Sequence, residues 1–79
     1  GLLNVSSKDR GVKLKIKGIK GEFDLPLDYY DLEEGDYKIV LYAKGKQKEV
    51  HDIKIERQRT TIIKANLKPN KRILDYLFD

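Results

Sequence analysis

Apolar side chains recur at every second residue along most of this chain, and that period leaves few folds open. Val12, Leu14 and Ile16 alternate with Lys13, Lys15 and Lys17, which in an extended strand makes one apolar and one basic face. Between Gly35 and Gly45, Tyr37, Ile39, Leu41 and Ala43 share one face, while Val40 and Tyr42 fall on the other. Short alternating segments flank this stretch on either side, so it is expected in the middle of a small sheet, and Val40 and Tyr42 ask for some cover on its second face. Shorter extended segments span residues 2–6, 22–25, 50–55 and 60–67, separated by turn-rich breaks at 7–11, 18–21, 33–36 and 44–46. Pro26 lacks a donor, so the strand before it ends there or lies on an edge. Residues 27–34 read as irregular and acidic, with Leu32 plugging the core ahead of the turn. The pattern predicts an all-β chain: a small antiparallel β-sandwich of about six or seven short strands, Ig-like or prealbumin-like.

The period changes once. Ile73, Leu74, Leu77 and Phe78 stand at helical spacing behind Asn70, a suitable N-cap. A helix this short needs a surface to dock on. Either it covers the Val40/Tyr42 face or it begins a further module. The expected organisation is therefore a sandwich domain over residues 1–68 and a linker or short helix over 69–79.

At 79 residues the chain is one small domain, with net stability expected at roughly 3–6 kcal/mol. That leaves little margin for a strained, buried catalytic centre. There is no cysteine, hence neither disulfide nor thiolate chemistry. No apolar run approaches the ~18–20 residues that span a bilayer, and no signal peptide opens the chain. Gly1 followed directly by Leu2 reads as an excised boundary, so a piece of a longer protein is expected.

The net charge of +4 is unevenly spread. Glu22, Asp24, Asp28, Asp31, Glu33, Glu34 and Asp36 form a segment without lysine or arginine, and the flanking stretches are mostly basic. Such a layout either orients partners or pairs across strands. His51 is the only histidine, which supplies a zinc site poorly; it reads as a half-buried strand residue. The acidic spacing lacks the ligand order of a calcium loop. Two carboxylates in a deep cleft would be needed for glycosidase chemistry. No catalytic, cofactor or metal residues are assigned. The Lys13/Lys15/Lys17 stripe, extended by Lys20, Lys44, Lys46 and Lys48, suits a phosphate backbone, with Tyr42 or Tyr37 for stacking. Lysine on an open strand face also discourages edge-to-edge pairing. The stretch most like a protein contact is Leu27, Asp28, Tyr29, Tyr30 and Asp31, joined by Tyr42, because tyrosine is favoured at contact sites. The competing reading makes one tyrosine a cap on the end of the sandwich.

These residues resemble the PEGA domain, a small β-sandwich module of surface and envelope proteins. Val5-Ser6-Ser7, Val12 to Ile16, Gly18 and Gly21 match the front of the family pattern. Pro26, Leu32, Gly35, Tyr37, Ile39 and Leu41 match its middle, and Ile53, Ile55, Ile63, Ala65 and Leu67 its end. Glu33 or Glu34 stands where the family has a proline before the glycine turn, and Lys46 follows Gly45 where it has a tyrosine. The resemblance implies a non-catalytic, extracytoplasmic module in the periplasm, envelope or cell surface. Such a module spaces, anchors, or binds another protein, a glycan or an envelope component; it carries no active-site residues. The alternative from the residues alone is a basic barrel that binds single-stranded nucleic acid.

Overall fold

A computed structural model describes residues 1–69. It contains seven strands: β1 (Leu2–Ser7), β2 (Lys13–Ile16), β3 (Phe23–Asp24), β4 (Leu27–Asp31), β5 (Gly35–Tyr42), β6 (Glu49–Ile55) and β7 (Thr60–Ala65). They form two sheets, ordered β4-β1-β7 (sheet A) and β3-β2-β5-β6 (sheet B). The all-β, two-sheet architecture agrees with the alternation. The expected helix at Ile73–Phe78 lies outside the described residues.

Period-2 patterning sets which atoms meet between the sheets. Leu3 and Val5 of β1, Leu14 and Ile16 of β2, Ile39 and Leu41 of β5, Ile53 and Ile55 of β6, and Ala65 of β7 are buried in one cluster. Val12, Leu32 and Leu67 close it from the connections. β5 is an inner strand of sheet B, and its register sets Leu41 against Leu14 and Ile39 against Ile16. Each fully buried Leu or Ile is worth about 1.5–3 kcal/mol, so this row dominates the stability of so small a domain. Between β2 and β3 the chain reverses through Gly18 (φ 91°) and Gly21 (φ 90°). A Cβ at either would meet nothing within 4 Å. The need for glycine there lies in the positive φ and not in lack of room.

Two expectations are corrected. The sandwich is not wholly antiparallel, because β1 pairs with β7 in parallel, in register from Leu2↔Thr60 to Ser7↔Ala65. Parallel neighbours need a long connection, and five intervening strands supply it. Residues 27–34 are not all irregular either: Leu27–Asp31 forms β4, antiparallel to β1. Its side chains do not alternate because the strand carries a bulge. Leu32 is buried as expected.

The seams between the sheets close differently. On one side Phe23 of β3 meets Tyr30 of β4 edge-to-face, with ring centroids 4.9 Å apart. On the other, the Thr61 hydroxyl donates to the Lys54 carbonyl (3.1 Å). There, too, the Gln47 amide donates to the Lys68 carbonyl (2.7 Å). Glu49 ties this side further, accepting from the Asn66 amide at 3.2 Å and lying 2.5 Å from His51 Nε2. His51 is thereby a half-buried strand residue within a polar tie.

Candidate functional site

β4 is an edge strand of sheet A, and its pairing with β1 is interrupted. Leu3 faces Tyr30 and Val5 faces Leu27, so Asp28 and Tyr29 together oppose Asn4. Such a bulge bends a strand and re-aims its side chains. Tyr29 adopts φ 50°, a left-handed conformation that costs a side-chain-bearing residue about 1–2 kcal/mol. Asn4 Oδ1 accepts the Tyr29 amide hydrogen at 2.5 Å, which replaces the ladder bond the bulge breaks. The result is a tyrosine held outward at 68% exposure.

The contact stretch therefore divides by residue. Tyr30 and Leu27 turn inward and pack on the core, Tyr30 against Phe23 as described. Asp28, Tyr29 and Asp31 are exposed. Each of the two readings of the tyrosine pair fits one of them: Tyr30 closes a seam and Tyr29 faces solvent. Tyr42 is not part of this patch. It stands on the outer face of sheet B, in register with Lys13. Its phenol donates to Glu22 Oε2, and Lys15 Nζ lies 5.7 Å from its ring centroid.

The basic stripe on that face is partly spent. Lys13 Nζ lies 3.4 Å from Asp24 Oδ1 and 3.6 Å from Glu22 Oε1. The charge of Asp24 first, then its hydrogen bond, then the charge of Glu22, raise the Lys13 pKa above the ordinary lysine value. Lys38 pairs with Asp52 at 3.8 Å. An open groove of ≈ 630 Å³ beside β2 is lined by Lys15, Lys17, Ile19, Glu22, Lys38 and Val40. It offers ammonium groups and apolar surface, and its one carboxylate is engaged by Tyr42 and Lys13. Among the described residues no three His, Asp or Glu side chains converge as a metal ligand set would.

Sequence reasoning did not single out Asn4 or Phe23, which hold Tyr29 and Tyr30 in place. The only signal for Asn4 was a residue of poor β-propensity inside a strand; Phe23 reads as an ordinary core residue. No family model and no curated protein matches the chain, so its resemblance to the PEGA family rests on the residues quoted above.

Proposed function

We propose that this chain is a non-catalytic interaction module that contacts another protein through the bulged edge at Tyr29. The observation that carries the reading is the combination of strain and exposure there. A bulky aromatic in a left-handed conformation, clamped by Asn4 and 68% exposed, contributes little to this fold. Strained residues of this kind cluster at contact and switch sites. Asp28 and Asp31 flank the ring and favour a partner with basic side chains. The PEGA resemblance supports the same reading, with a prealbumin-like or Ig-like sandwich in a larger extracytoplasmic or envelope-associated protein that spaces, anchors or binds.

The test is cross-linked recovery of partners from the envelope fraction of the source cell, comparing the native chain with Tyr29→Ala. Tyr30 stays in place, since it packs on the core. We expect Tyr29→Ala to keep the circular dichroism spectrum and to lose the partner at least tenfold, while Val50→Ala keeps it. Equal recovery with Tyr29→Ala overturns the assignment. A second reading, single-stranded nucleic acid on the outer face of sheet B, is favoured by Lys15 over the Tyr42 ring. It is weakened by the carboxylates already paired with Lys13 and Lys38. Micromolar oligonucleotide binding at about 150 mM salt, with a steep salt slope, would favour it over the protein contact.

A further inference from the structure

We propose that the free edge of β7 takes up an extended acidic segment of another protein as an added strand. This surface is separate from Tyr29, at the opposite side of sheet A.

An edge strand exposes unpaired N–H and C=O groups, and folded proteins normally defend such edges with bulges, prolines, charges, shortness or cover. All four edges here carry some defence, and that of β7 is the lightest. β3 has two residues. β4 follows Pro26 and carries the Tyr29 bulge. In β6 the Lys54 carbonyl is taken by Thr61 and outward positions carry Asp52 and Lys54. β7 has six residues, Thr-Thr-Ile-Ile-Lys-Ala, with neither proline nor bulge, in unbroken register with β1; its guards are the single outward charge of Lys64 and the Thr61 bond to the Lys54 carbonyl.

The phase of that ladder shows which amides are open. Leu2 N–H donates to the Arg59 carbonyl at 2.9 Å. Strand amides alternate in direction, so Arg59, Thr61, Ile63 and Ala65 turn theirs toward β1. Thr60, Ile62 and Lys64 turn theirs away, and all three are exposed. No described residue hydrogen-bonds to those three backbones. Ile62, at the centre of the row, is 63% exposed. Backbone groups in alternating donor–acceptor order, with an apolar side chain among them, match the way an extended peptide binds.

Charge selects the occupant. Lys54, whose carbonyl Thr61 reaches, Lys64 within β7 and Lys68 just beyond it supply the charge here, and none has an ion-pair partner among the described residues. The three nearby carboxylates are engaged, Asp52 by Lys38, Glu56 by Arg59, and Glu49 by His51 and the Asn66 amide. A guest strand with glutamate or aspartate at alternate positions meets this rim with opposite charge. A second copy of the chain would instead bring a second basic rim against the first. A nucleic acid would satisfy the ammonium groups but not the alternating amides.

The probe is a synthetic eight-residue peptide alternating glutamate with valine and threonine, followed by amide NMR and hydrogen exchange on the native chain. In the free protein the Thr60, Ile62 and Lys64 amides should exchange rapidly; with peptide they should slow at least tenfold, with shifts centred on β7. A lysine-for-glutamate peptide, and one N-methylated along its pairing edge, should each bind at least tenfold more weakly. Lys64→Glu should weaken binding at least fivefold, and Tyr29→Ala should leave it unchanged. Amides already protected in the free chain would overturn the proposal, as would undiminished binding of the N-methylated peptide or shifts centred elsewhere. Self-association that protects the same three amides would replace the acidic strand with a second copy. Tighter binding of an oligonucleotide at this edge would replace it with nucleic acid.

Discussion

Tyr29 and Asn4 show how one side chain fixes the conformation of a residue 25 positions away. The Asn4 carbonyl oxygen stands in for a missing ladder acceptor, so Asn4→Ala removes a hydrogen bond worth about 1 kcal/mol. In a domain of this size that corresponds to a melting temperature lower by about 4–8 °C. Tyr29→Gly removes the left-handed penalty while adding chain entropy to the unfolded state, and a melting temperature within about 4 °C of the native value is expected. If Asn4→Ala melted with the native chain, the clamp would be incidental. Lys13 gives a second residue-level expectation. Its folded-state pKa is raised, chiefly by Asp24, so its contribution to stability is complete below the unfolded-state value and fades as pH rises through the folded one. By NMR titration of the lysine side chain, Asp24→Asn should lower the midpoint more than Glu22→Gln.

Among the elements, β5 was legible in the sequence because its environment is uniform. It lies between two partners, with Ile39 and Leu41 fully buried, so period 2 translates directly into faces. The same holds for β2, whose Lys13/Lys15 and Leu14/Ile16 faces are those the alternation predicts. β4 was not legible, since Leu-Asp-Tyr-Tyr-Asp does not alternate and its strand character depends on a bulge completed by Asn4 from another strand. The parallel β1–β7 pairing was hidden for a similar reason: it joins the two ends of the described chain, and no local spacing encodes it. Tyr29 and Tyr30 were noticed as a pair, but which one faces out follows from the bulge alone. Burial also decides the cost of substitution along β5 and β6. Leu41→Ala should cost about 2–5 kcal/mol, most or all of the stability expected for so small a domain. Val50→Ala, at a position 54% exposed, should stay within about 0.5 kcal/mol. Urea midpoints of the two variants measure this directly, and similar losses would mean that the outer face of sheet B is covered.

At the scale of the molecule, stability depends on closing the chain upon itself. β1 pairs at once with β4 and with β7, and the buried cluster runs from Leu3 to Leu67. Neither half therefore holds a complete core. Sheet A is only the β4–β1 pair until β7 arrives, and Leu3 and Val5 then gain the Ile63 and Ala65 side of the sandwich. A small domain of this kind should unfold in one cooperative step. Its non-local pairings place folding on the slower, millisecond-to-second side. The consequence is sharp at the C-terminal end of the core. A chain ending at Pro69 keeps every buried residue named above and should still unfold in one sigmoidal urea transition. A chain ending at Arg59 lacks β7, Ala65 and Leu67 and should show no sigmoidal transition. The NMR ring resonances of Phe23 and Tyr30 report on their seam, and far-ultraviolet circular dichroism reports on both sheets. Coincidence of the two curves for the shorter chain tests whether one cooperative unit spans both. Separate midpoints would mean that the seam and the β1–β7 ladder melt independently, and the domain would then consist of two weakly coupled sheets.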